Sequence, residues 1–172
     1  LVLRFEIRPA SLEPTPETPK ATILFQYIVA PNDFRRIIRS NFHLGRAKVI
    51  FMLLITSNRS KELLYVTFSG RVRVEEFQNA REDLTTELGV MPPGFHYLVD
   101  FSQLESMGLE CVPELGRIMD LLRAAGVGLV VRVIPDPAKD IGMNILTIFH
   151  YPKHLKVITC QNLTEAARAL AL

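Results

Sequence analysis

The chain has 172 residues, 48% of them hydrophobic and 22% charged, a composition that suits one globular domain and leaves no room for two large ones. Its longest apolar run, Val49 to Ile55, has seven residues, far short of the ~18–20 that span a bilayer, and no membrane partner is expected. The net charge of +2 is uneven: residues 1–51 carry eight Lys/Arg against four Asp/Glu, and residues 52–172 carry twelve against fourteen, so no basic surface argues for nucleic acid.

The first 51 residues read as a poorly structured extension. Pro9, Pro14, Pro16, Pro19 and Pro31 each remove a backbone donor, and the stretch between Pro9 and Lys20 is linker-like. The segment is expected to be a disordered extension or translated sequence upstream of a start at Met52. The alternative is an extension that packs one strand, at Thr22 to Val29, on the domain edge. No secretory pattern opens the chain, and two cysteines, Cys111 and Cys160, form no disulfide framework; a cytoplasmic protein is the expectation.

Regular pattern begins at Met52 and fills residues 52–172. Leu53 to Thr56 is a short strand, 57–60 a polar turn, and Leu63 to Ser69 an alternating strand ended by Gly70. Val74 to Leu88 repeats apolar residues at helical spacing, with Glu75 and Glu76 at the positive end of the dipole. Met91-Pro92-Pro93-Gly94 is a connector. Phe95 to Phe101 reads as a strand covered on both faces, followed by a loop from Ser102 to Glu110. A helix with Pro113 in its first turn carries the stripe Leu115, Ile118, Met119 and Leu122, and Gly126 stops it. Val127 to Ile134 is a strand, Ile141 to Phe149 a helix, Leu155 to Cys160 a strand, and Leu163 to Leu172 a helix capped by Asn162. The class is α/β, order β-β-α-β-α-β-α-β-α, with a mixed sheet and helices packed against it.

From Met52 to Ala171 this order resembles the STAS domain, the fold of bacterial anti-sigma-factor antagonists of the SpoIIAA type. The resemblance is densest from His96 to Pro113, where Asp100, Leu104 and Met107 fall on the family's strand-end polar residue, loop leucine and methionine. It implies a non-catalytic, protein-binding regulatory module. Its partner would be a regulatory protein such as an anti-sigma-factor kinase, met by the loop and helix start: Asp100, Ser106, Met107, Gly108, Leu109, Glu110 and Cys111. In that family a kinase phosphorylates the first serine of Asp-Ser-Ser-Gly. Here the matching stretch is Gly108-Leu109-Glu110-Cys111, so Leu109 replaces the acceptor and no phosphorylation is expected at that position. Adding about two negative charges at a helix start is the physical basis of such a switch, and leucine cannot provide it. Glu110 supplies a fixed carboxylate nearby.

Two alternatives stay open: a small-molecule-sensing STAS-like domain, and a thiol-dependent enzyme using Cys111, whose place at a helix start favours thiolate. His150 and His154 flank Pro152, which breaks the helix that would align them as metal ligands; His96 and Asp100 share a strand face, but a catalytic site needs mutual geometry, and surface or satisfied-core histidines are the expectation. No phosphate-binding glycine loop is present. No cofactor and no metal are expected. Arg132, inside an apolar strand, needs buried polar partners.

Overall fold

The computed structural model describes residues 34–37, 53–136 and 140–171. The first element is β1, Phe34–Ile37, which pairs antiparallel with β2, Leu53–Asn58; β2 in turn pairs antiparallel with β3, Leu63–Val72. Helix α1, Val74–Leu88, leads to β4, His96–Met107. A 3-10 turn, Leu109–Cys111, then opens α2, Val112–Ala124. The chain closes with β5, Leu129–Val133, α3, Asp140–His150, β6, Lys156–Cys160, and α4, Leu163–Ala169. Strand order is β1-β2-β3-β4-β5-β6, and β3 through β6 are parallel neighbours. From β2 onward this is the order read from the sequence.

One strand, β1, therefore comes from the segment expected to lack structure. Its four residues, Phe-Arg-Arg-Ile, are too few to show a period. The Thr22–Val29 strand and the other expectations for residues 1–33 and 38–52 lie outside the described residues.

The sheet buries two faces. Leu64, Val66, Phe68, Tyr97, Val99, Phe101 and Val130 face the larger core with Phe77 and Leu84 of α1 and Leu115 and Leu122 of α2. Leu63, Tyr65, Leu98, Val131 and Val133 face the smaller core beneath Ala166 and Leu170. The alternation follows from the two-residue period of a strand, and burial on both faces explains the near-continuous apolar runs of β4 and β5. Not every inward position is apolar. Glu87 of α1 is 1% exposed and accepts a hydrogen bond from the Ser57 hydroxyl of β2.

Several boundaries differ from expectation: β2 runs two residues into the expected turn, to Asn58, and two later strands change more. β3 passes through Gly70 to Val72, and β4 continues through the supposed loop to Met107. These extensions pair with each other, Ser69–Val72 against Gln103–Met107, across two register shifts. Gly70 sits at the second shift with a φ of 63°, in the left-handed region that glycine enters without a Cβ penalty. β5 ends at Val133, opposite Asp100, so the β3–β4 pair runs on past its neighbour as a two-stranded ribbon. That ribbon carries the corner leading into α2.

Candidate docking corner and adjoining cavity

β4 ends at Met107, and Gly108 in extended conformation turns the chain into the 3-10 turn. The Cys111 amide donates to the Gly108 carbonyl at 3.0 Å, closing that turn. The Cys111 thiol points inward, 3.7 Å from the Val72 carbonyl at the tip of β3, and the residue is fully buried. One side of the turn is thus pinned to the ribbon. The other side presents Leu109, 87% exposed, with Ser106 and Glu110 also exposed and Met107 and Gly108 half-buried. The Glu110 carboxylate folds back over the α-carbon of Gly108, where any side chain would collide with it.

The structure divides the seven residues expected to meet a partner. Ser106, Met107, Gly108, Leu109 and Glu110 form one continuous ridge. Asp100 and Cys111 do not belong to it. Asp100 is not at a strand end: it lies within β4, 2% exposed, on the smaller-core face. Its carboxylate accepts from the Tyr65 hydroxyl at 3.2 Å and from the Ser102 amide at 2.8 Å. The second bond closes a local turn of the kind short acidic side chains make with the backbone two residues on. It marks the point where β4 leaves regular pairing.

Cys111 also corrects the thiol reading. Burial, and after it the charge of Glu110, push the thiol up rather than down. Removal from water outweighs the opposing hydrogen bond with the Gly108 backbone, so the thiolate that nucleophilic chemistry requires is disfavoured. Cys160 is shifted the same way by burial and then by Glu165. Nor do the histidines converge. His150 contacts Asp120 of α2 at 3.2 Å and packs over Gly116, where an added Cβ would meet its ring at 2.7 Å, while His154 is exposed in the turn before β6. Among the described residues no group of three or more His, Cys, Asp or Glu is placed to hold a metal ion. No helix among them is long and apolar enough to cross a membrane.

Beside the corner lies a cavity of about 420 Å³, which the sequence did not reveal. Phe101, Leu104 and Met107 of β4 form one wall; Ile134 and Pro135 after β5 and Met143 of α3 form the other, with Ser102, Ser106, Glu105 and Asp136 around them. It opens at the carboxyl ends of two parallel strands, the place where α/β sheets commonly bind ligands. Phe101, in the β4 wall, stacks on Phe68 at 4.8 Å between ring centroids. The α3 wall is held by Arg132 of β5, 4% exposed, which donates to Asn144 at 2.7 Å, to Thr147 at 3.2 Å and to Thr159 of β6 at 2.8 Å. The polar partners that Arg132 was expected to need therefore come largely from the helix it secures.

No family model matches the chain, and no curated protein matches it. Solved structures do. A protein of the DUF3478 family with a SpoIIAA-like fold, from Shewanella loihica PV-4, superposes with a TM-score of 0.56 at 16% identity, covering 73% of this chain and 99% of that one. The protein TM1081, solved by NMR, gives a TM-score of 0.45 at 11% identity, with 78% and 98% covered. With its strand order and flanking helices, the chain has a SpoIIAA-like α/β fold.

Proposed function

We propose that the chain is a non-catalytic protein-interaction module that docks a regulatory partner through the Ser106–Glu110 ridge without a phosphorylation switch at its tip. The observation that carries this reading is Leu109: a large apolar side chain 87% in water, on a turn whose opposite side is fully buried. A lone exposed leucine is ordinary. One at the apex of a strand-to-helix corner whose inner side is pinned by Cys111 has its backbone pre-organised, and pre-organisation lowers the ordering cost of binding. The ridge has the form of an anchor side chain with a polar rim, the pattern of a small binding hot spot. Glu110 places a permanent negative charge beside that anchor. A partner with an apolar pocket rimmed by basic groups would fit it.

The test is capture from a native lysate with wild type and with Leu109→Asp, both checked for intact fold. Recovery of specific proteins by wild type alone supports the docking ridge, and identical recovery by both removes it. Cys111 is left untouched, because its burial would turn a substitution there into a folding defect.

The cavity supports a second reading, a small-molecule-sensing domain. Six apolar residues enclose a space that fits a compact ligand, and Met107 and Ser106 belong both to its lining and to the ridge. Thermal stabilisation by an apolar metabolite, abolished by Leu104→Trp, would support it, since binding to the native state raises apparent stability. Absence of stabilisation across a broad metabolite set counts against it.

A further inference from the structure

Helix α3 covers the sheet with one side, and its other side is exposed at three large apolar residues. Ile145, Ile148 and Phe149 are 51%, 77% and 78% exposed, at spacings of three and four residues that place them on one stripe. Together they offer on the order of 400 Å² of apolar surface, the size of the largest patch on a typical monomer, which is often functional. This stripe belongs to neither the docking ridge nor the cavity lining.

From its apolar surface and the charge at the helix ends we infer that the stripe is the interface of a homodimer, in which α3 packs antiparallel on α3 of a second copy about a twofold axis near Ile145. Ile145 is the sixth of the eleven residues of α3, at the helix midpoint. A twofold axis there brings it against its own counterpart and lays Ile148 and Phe149 along the first half of the facing helix. The two ends of α3 differ in charge: Asp136 precedes it and Asp140 opens it, while Lys153, His154 and Lys156 follow it. Lys153, His154 and Lys156 are exposed. Antiparallel pairing sets each acidic end, which is also the positive end of a helix dipole, near the basic end of its mate, whereas parallel pairing would set like against like. The apolar stripe supplies about half of the roughly 800 Å² per partner that a standard interface buries, and those flanking polar residues extend it.

The interface can be tested on the full chain. Sedimentation across the micromolar range should give a concentration-dependent dimer, and Ile148→Glu/Phe149→Glu should sediment as a monomer with an unchanged circular dichroism spectrum. The axis is tested by Ile145→Cys. Facing α-carbons near a twofold axis, on helices 8–10 Å apart, lie within disulfide reach, so mild oxidation should join the two chains. Background is low because Cys111 and Cys160 are 0% and 5% exposed. Arg168→Cys on α4 is the exposed control, which should not cross-link at the same rate. A wild type that stays monomeric throughout the range overturns the inference. So does a dimer that survives the double glutamate variant, or a monomer that uses the same stripe to bind lipid vesicles.

Discussion

The Tyr65 hydroxyl and the Asp100 carboxylate meet at 3.2 Å across the β3–β4 pair, both residues at least 95% shielded from water. Burial, followed by the charge of Asp100, pushes the Tyr65 hydroxyl well above its ordinary value, and burial does the same for Tyr97 and Tyr151. All three are acids whose folded-state pKa exceeds the unfolded one. Their stabilising contribution is therefore complete below pH ~10 and is lost as pH rises toward the folded values. Unfolding free energy should fall above pH ~10 by up to about 1.4 kcal/mol per pH unit for each tyrosine. The raised thiols of Cys111 and Cys160 begin the decline slightly earlier, near pH 8.5–9. Urea titrations from pH 7 to 11 check this. With no tryptophan in the chain, tyrosinate absorbance reports the ionisation directly, and the share of Tyr65, Tyr97 and Tyr151, three of the four tyrosines, should appear together with unfolding rather than before it.

Removing the Tyr65 hydroxyl should expose the same relationship from the other side. Tyr65→Phe leaves a buried carboxylate with the Ser102 amide as its remaining described donor, at a cost of about 1–3 kcal/mol. Asp100→Asn keeps the shape and removes the charge, so Tyr65 should titrate closer to its ordinary value in that variant. Chemical denaturation gives the first quantity, and spectrophotometric titration the second.

Leu109 and Cys111 are two residues apart and should respond oppositely. Leu109→Asp changes a side chain that is 87% exposed, and stability should stay within about 0.5 kcal/mol of wild type. Cys111→Arg forces a charge into a fully buried position and should leave little folded protein. In wild type, thiol labelling of Cys111 should be slow in buffer and fast in urea. Rapid labelling of the native protein would mean that the corner opens far more readily than its packing implies.

Much of this architecture was legible because its signals are local and periodic. Val74–Leu88 shows helical spacing, Pro113 opens α2, Gly126 closes it in the left-handed region with a φ of 84°, and Asn162 caps α4 by accepting from the Glu165 amide. What escaped depends on residues distant in sequence. The outer half of β4 is polar and mostly exposed, and two register shifts break its period, so Ser102–Met107 looks like a loop until β3 is seen beside it. Asp100 reads as a strand-end polar residue open to a partner because Tyr65, which it meets, is 35 residues away. The cavity has no motif at all: it exists only because β4 outruns β5 and Arg132 holds α3 across the gap.

Gly126 gives a test of backbone conformation separate from packing by larger side chains. At a φ of 84° any L-residue is strained, and an added Cβ would also sit 3.3 Å from the Pro93 Cβ. Gly126→Ala should cost about 1–2 kcal/mol, although alanine favours folding at positions with ordinary angles. Because the Gly94 amide donates to the Gly126 carbonyl at 2.7 Å, amide exchange at Gly94 should rise in the same variant.

Arg132 anchors α3 through bonds to two residues of that helix and one of β6, so its loss should be felt locally before it is felt globally. Arg132→Met preserves most of the buried volume and removes these hydrogen bonds, for an expected loss of about 2–3 kcal/mol. Asn144 and Thr159 are exposed and can turn to water, which keeps the loss below that of stranding buried acceptors. Hydrogen exchange separates the two scales of effect. Amides of α3 should exchange markedly faster while those of β3 and β4, central in the sheet and packed on both faces, keep their order of protection. A uniform rise across the sheet would instead mean that Arg132 supports the whole core, and that α3 is no more detachable than the strands beneath it.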